Sequence, residues 1–121
     1  MTDAEKMVRL AVQALEDKKG QDIAVLNISE VSVVADYFVI VSGENERQTA
    51  ALKDAVEETL FKEHFMPRSI EGALSKSWTL LDYNDVIIHI FSRQDRLFYD
   101  LERIWRDGKR IPLEELRGPE K

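Results

Sequence analysis

Two apolar runs, Trp78-Thr79-Leu80-Leu81 and Val86-Ile87-Ile88-His89-Ile90-Phe91, stand on either side of the polar tetrad Asp82-Tyr83-Asn84-Asp85. Runs rich in β-branched and aromatic residues, broken by Asn and Asp, read as an antiparallel hairpin, and such a hairpin needs further strands or helices to cover it. A two-residue turn at Tyr83-Asn84 would pair Asp82 with Asp85, Leu80 with Ile87 and Trp78 with His89 on one face. Thr79, Leu81, Val86 and Ile88 would form the other. Tyr83 is then left at a solvent-exposed tip, where Asn, Asp and Gly are the usual residues, so its ring points to docking more than to packing. For Trp78 a strand aromatic covering the sheet is the commoner role, with docking as the alternative at the end of a polar loop. His89 reads as a hydrogen-bonded sheet residue, since a lone histidine in an apolar strand has no nucleophile to activate.

Around the hairpin the pattern alternates between helical and extended periods. Thr2 and Glu5 form a capping box, and Met7, Val8, Ala11, Val12, Ala14 and Leu15 recur at helical spacing behind it. Lys18 and Lys19 suit the negative end of that helix, and Gly20 is the expected left-handed terminator. Residues 22–28 read as a short strand and 37–41 as a continuous apolar one, buried on both faces and central. Asn45 with Gln48 opens a second helix, whose apolar positions are Leu52, Ala55, Val56, Thr59 and Leu60. Pro67 prevents its continuation, Ser69-Ile70-Glu71 suggests a short strand, and 72–77 a loop. A third helix is expected after Phe91, with Leu97, Leu101 and Ile104 facing inward and Tyr99 off that face. From 107 onward Gly108, Pro112, Gly118 and Pro119 interrupt any long element, so 107–121 reads as an irregular tail with one helical turn at 113–116. Residues 1–106 therefore form a single α/β domain, a mixed β-sheet packed by helices.

Composition excludes several functions. No apolar run approaches the roughly 18 residues of a membrane span, and the N-terminus carries Asp3 and Glu5 in place of a signal or transit pattern. A cytoplasmic protein is the expectation. The absence of cysteine removes disulfides, zinc ribbons and thiol nucleophiles, and His64 and His89 have no spaced ligand partners, so neither cofactor nor metal is expected. Net charge is −6, with 16 Asp/Glu against 9 Lys/Arg over residues 1–91. Such a surface disfavours direct binding to nucleic acid and favours a basic protein partner.

Asp82 and Asp85 invite a phosphoryl-transfer reading, because paired carboxylates can hold a divalent metal. They lie across a turn, however, with no basic phosphate cradle nearby and with Ser42-Gly43 in the reverse of the Gly-Ser order such an enzyme needs. Satisfying turn amides at an acidic rim is the simpler role.

Trp78, Asp82-Tyr83, Asp85-Val86, His89, Phe91, Tyr99, Leu101 and Glu102, with Ala35-Asp36-Tyr37-Phe38, Ser42-Gly43, Arg47-Gln48 and Glu71-Gly72, occur in an order and spacing that resembles the ribosomal silencing factor family, also called Iojap. The resemblance runs from about 22 to 105. It implies a mixed sheet of nucleotidyltransferase-like topology, with no catalytic residues. It also implies a translational repressor that binds the large ribosomal subunit through ribosomal protein number fourteen and sterically blocks joining of the small subunit under nutrient limitation. Trp78, Asp82, Tyr83 and Tyr99 are the contact residues so implied, with Asn84 and Asp85 shaping the tip. The family usually has Gly where this chain has Asn84, and Asn is the best substitute at positive φ. Two other readings stand beside this one: a metal-dependent nucleotidyltransferase or nucleotide-binding protein, and a homodimer formed through the aromatic surface.

Overall fold

The computed structural model describes residues 2–72, 78–93 and 108–117. Helix α1 (Asp3–Asp17) leads into strands β1 (Gln21–Asn27) and β2 (Tyr37–Gly43), then helix α2 (Glu46–Lys62). Strands β3 (Ser69–Glu71), β4 (Trp78–Asp82), β5 (Val86–Ser92) and β6 (Lys109–Arg110) and the short helix α3 (Leu113–Arg117) follow. The strands make one mixed sheet in the order β3-β4-β5-β2-β1-β6. Only β2 and β5, in the middle, run parallel, so the expected central strand and mixed directions are both observed.

Local chemistry explains why the helices begin where they do. Thr2 and Glu5 form the reciprocal capping box, and Asn45 Oδ1 accepts from Gln48 N at 2.9 Å. Gln48 also ties the two helices together: its Nε2 donates to the carbonyls of Lys18 and Lys19, at 3.2 and 2.8 Å. The left-handed residue after α1 is Lys19, with φ 62°, and not Gly20. Gly20 is needed for a different reason, since a Cβ there would come within 2.6 Å of the Val41 side chain.

Both long helices cover one face of the sheet. Met7, Val8, Val12 and Leu15 of α1 and Leu52, Val56 and Leu60 of α2 pack with Val25, Val39, Val41, Leu81, Ile88 and Ile90. Alternation along the strands sends the other set to the opposite face, where Leu26, Phe38, Ile40, Ile87 and Phe91 form a second cluster flanked by Trp78 and Leu80. The segment expected to be an irregular tail adds to the domain over its described part. Lys109–Arg110 pairs with β1, and Ile111, Leu113 and Leu116 pack against the helix-side core. The helical turn at 113–116 is present within α3. Of the loop expected at 72–77 only Gly72 is described, and the helix expected after Phe91 around Leu97, Leu101 and Ile104 lies outside the described residues.

Candidate functional site

The β4–β5 hairpin forms as the sequence indicates, with its pairs displaced along the ladder. Trp78 faces Phe91, Leu80 faces His89 and Asp82 faces Ile87, so the expected pairs of Trp78 with His89 and Asp82 with Asp85 are corrected. Tyr83 N donates to Val86 O at 2.9 Å, extending the ladder by one residue and moving the turn to Asn84-Asp85. Asn84 takes φ 78°, and Asp85 N donates to Tyr83 O across it at 3.0 Å. A slip of two in the pairing keeps the other strand side chains on their expected faces, because side chains alternate with period two, while Asp85 leaves the ladder for the turn and Tyr83 joins it.

The added ladder residue decides the fate of Tyr83. It carries the tyrosine onto the face of Leu81 and Val86, beneath the helices, where it is 4 % exposed and belongs to the main core. The expected exposed aromatic at the tip is therefore overturned. Burial, with a smaller contribution from the carboxylate of Glu57, pushes its hydroxyl up to about 12. That hydroxyl has no hydrogen-bond partner among the described residues.

Asp82 is buried and held from two directions. Its Oδ1 accepts from Asn84 N at 2.8 Å, the turn-amide role expected of it, and its Oδ2 accepts from Arg68 Nη2 at 2.8 Å. Arg68 Nη1 also reaches Asn84 Oδ1 at 3.3 Å, so one guanidinium spans the base and the crest of the turn. Sequence reasoning missed Arg68, which stands fourteen positions from Asp82 and becomes its neighbour only through β3–β4 pairing. Asn84 and Asp85 are exposed. The main-chain carbonyl of Asp85 accepts from Asp36 N and Tyr37 N, at 2.8 and 3.1 Å, docking the tip on the start of β2.

Trp78 lies on the opposite face and is half-buried. Its ring stacks on Phe91 at 5.0 Å, and its Nε1 donates to His89 Nδ1 at 3.1 Å. The histidine is thus the hydrogen-bonded sheet residue that the sequence suggests, and its proton belongs on Nε2. Burial lowers its pKa to about 3, which keeps it neutral. Trp78, Asp82, Asn84 and Asp85 are thereby gathered on one hairpin, whereas Tyr99 lies outside the described residues. Among the described residues no group of three or more His, Asp or Glu is placed to hold a metal, and no helix is long and apolar enough to cross a membrane.

A single α/β domain with a mixed six-strand sheet, the two long helices among the described residues on one face, and an aromatic, acid-tipped hairpin is the class of protein defined here. Residues 1–121 match the family model described as "Ribosomal silencing factor during starvation", and the chain belongs to that family. It is 32% identical over 110 residues to a ribosomal silencing factor of Halalkalibacterium halodurans, covering 91% of this chain and 94% of the relative. Identity to a ribosomal silencing factor of Zymomonas mobilis is 36% over 106 residues, 88% of this chain and 80% of the relative. A crystal structure of a Chromobacterium violaceum protein superposes with a TM-score of 0.84 at 31% identity, covering 92% of this chain and 91% of that one.

Proposed function

We propose that the protein represses translation by binding the large ribosomal subunit through ribosomal protein number fourteen, where its bulk blocks joining of the small subunit under nutrient limitation. The observation that carries this reading is the family match over residues 1–121. The action is steric and takes place in the cytoplasm, with no covalent step. Both carboxylate oxygens of Asp82 are already engaged by Arg68 and the Asn84 amide, which favours a structural role for that residue over metal-dependent phosphoryl transfer. Trp78, Asn84, Asp85 and Tyr99 are the contact residues in this reading. Asp82 and the buried Tyr83 shape the hairpin from within. A half-buried tryptophan on an acidic protein suits a basic ribosomal partner, since Trp and Tyr are the usual interface anchors.

Co-sedimentation tests the reading. The protein should pellet with isolated large subunits and not with small ones, and should reduce subunit joining on a sucrose gradient in proportion to occupancy. Trp78→Ala should weaken that binding by about 2 kcal/mol or more, roughly thirtyfold. Equal recovery with both subunits, or undiminished joining at full occupancy, would refute the proposal.

A further inference from the structure

Away from the hairpin, α2 carries Asp54, Glu57, Glu58 and Phe61 at the i, i+3, i+4, i+7 spacing that puts four side chains on one stripe. The helix then ends in a tight reversal. His64 takes φ 72°, His64 N donates to Phe61 O, and Phe65 N donates to Leu60 O, both at 2.9 Å, which is the Schellman arrangement with histidine in the glycine position. This reversal brings Met66 and then the edge strand β3 back alongside the same stripe. The result is a groove of about 540 Å³ between α2 and β3, lined by Phe61, Met66 and Ile70 together with the three carboxylates.

Phe61 and Met66 are 61% and 64% exposed, and Ile70 38%. Three large apolar side chains this open, side by side, are what a docking surface presents and what a folded core does not need. The side chains of Asp54 and Glu58 are 76% and 72% exposed. Lys53 and Lys62, which pair with these acids, do not line the groove.

We propose that this groove docks a basic amphipathic helix of a partner protein, apolar side chains entering over Phe61, Met66 and Ile70 and lysine or arginine lying over Asp54 and Glu58. Charge selects that occupant. A second copy of this chain meeting the groove through a twofold axis would set the acidic stripe against itself, a like-charge contact that disfavours association. A small ligand would want polar groups converging within an enclosed pocket, whereas here the acidic lining is carboxylates and Phe61 and Met66 lie largely exposed. Among the described residues an added β-strand would find three of β3 at this edge to pair with, so a helix in the groove is the recognition mode that fits. None of the lining residues belongs to the hairpin itself, and the site does not depend on the ribosomal reading.

The test titrates the isotope-labelled protein with three synthetic peptides, followed by amide NMR. One peptide has leucines and lysines at helical spacing; in the second the leucines become serine, and in the third the lysines become glutamate. Only the first should shift amides of α2 and residues 65–70. Met66→Ser and Glu58→Lys should each weaken it at least tenfold without moving the melting temperature, since both side chains are exposed. The double variant Asp54→Lys/Glu58→Lys should instead accept the leucine/glutamate peptide. Equal binding of the serine peptide, shifts confined to other faces, or indifference to these substitutions would overturn the proposal. Concentration-dependent shifts at the groove without any peptide would overturn it in favour of self-association.

Discussion

The two faces of the β4–β5 hairpin share a backbone and little else. On the helix side Leu81, Val86 and Ile88 are sealed from solvent, and Tyr83 joins them with a hydroxyl that finds no partner among the described residues. On the other side Trp78, His89 and Phe91 form an aromatic stack in which the tryptophan's one donor is matched to the imidazole's one acceptor, while the imidazole's Nε2 finds no partner among the described residues and Trp78 remains half-buried. The helix face gets its stability from shape and apolar area. The opposite face, also buried at His89 and Phe91, gets its geometry from directed polar and ring contacts, which fix the position of a large aromatic. Substitutions on the two faces should therefore fail in different ways.

The largest effect belongs to Tyr83. Tyr83→Ala should destabilise the fold by about 3 to 5 kcal/mol, the range for truncating a buried aromatic, as read from urea unfolding. Tyr83→Phe should leave stability unchanged or raise it by about 1 kcal/mol, because it deletes a buried hydroxyl that has no partner among the described residues. If the alanine variant were as stable as the native chain, Tyr83 would not be in the core and the contrast between faces would collapse.

Why Tyr83's burial was hard to read from the sequence follows from the ladder itself. Alternation of side chains assigns residues to faces, and it assigned Trp78, Leu80, Asp82, Ile87 and His89 correctly to one and Thr79, Leu81, Val86 and Ile88 to the other. It is blind to a slip of two, which exchanges partners without exchanging faces. One cue was available. A turn centred on Asn84-Asp85 keeps tyrosine out of a position that favours small polar residues, and that is the turn observed. Helix starts at Thr2 and Asn45 were legible because a cap is a local event. The Arg68 clamp and the parallel β2–β5 pair join residues far apart in sequence, and the packing that demands Gly20 exists only once Val41 is beside it. Composition and caps see none of these.

A middle-sized effect should come from acid acting on the face opposite the helices. His89 is held at a pKa of about 3, below the ordinary 6.5, so between those values the unfolded chain binds a proton that the folded chain does not. Stability contributed by neutral His89 is complete above about pH 6.5 and is lost as pH falls toward 3. Protonation would also fill Nδ1, the acceptor that Trp78 uses. Moving from pH 7 to 4.5 should remove about 2 to 3 kcal/mol through this group, at 1.36 kcal/mol per pKa unit. His89→Gln, unfolded in urea at both values, should show a pH dependence smaller by that amount. Identical pH dependence in the two proteins would mean that the histidine stays solvated, and that the Trp78 hydrogen bond does not define that face.

The smallest effect is expected at the crest, where the two faces join and neither packs. Asn84 is exposed, and its side chain makes one long contact, 3.3 Å from Arg68 Nη1, so its importance lies in its backbone at φ 78°. Glycine reaches that conformation without strain, and Asn84→Gly should change stability by no more than about 0.5 kcal/mol, loss of the contact offsetting relief of the backbone. Valine has a Cβ branch that collides in the left-handed region, and Asn84→Val should lower stability by about 1 to 2 kcal/mol. The pair of variants isolates φ from side-chain chemistry, since both lose the amide and only one resists the turn. If valine were tolerated as well as glycine, the crest would have relaxed out of the left-handed region. The hydrogen bond from Asn84 N to Asp82 Oδ1, at 2.8 Å, would then be the contact to re-examine, because it is what fastens the crest to the buried carboxylate beneath it.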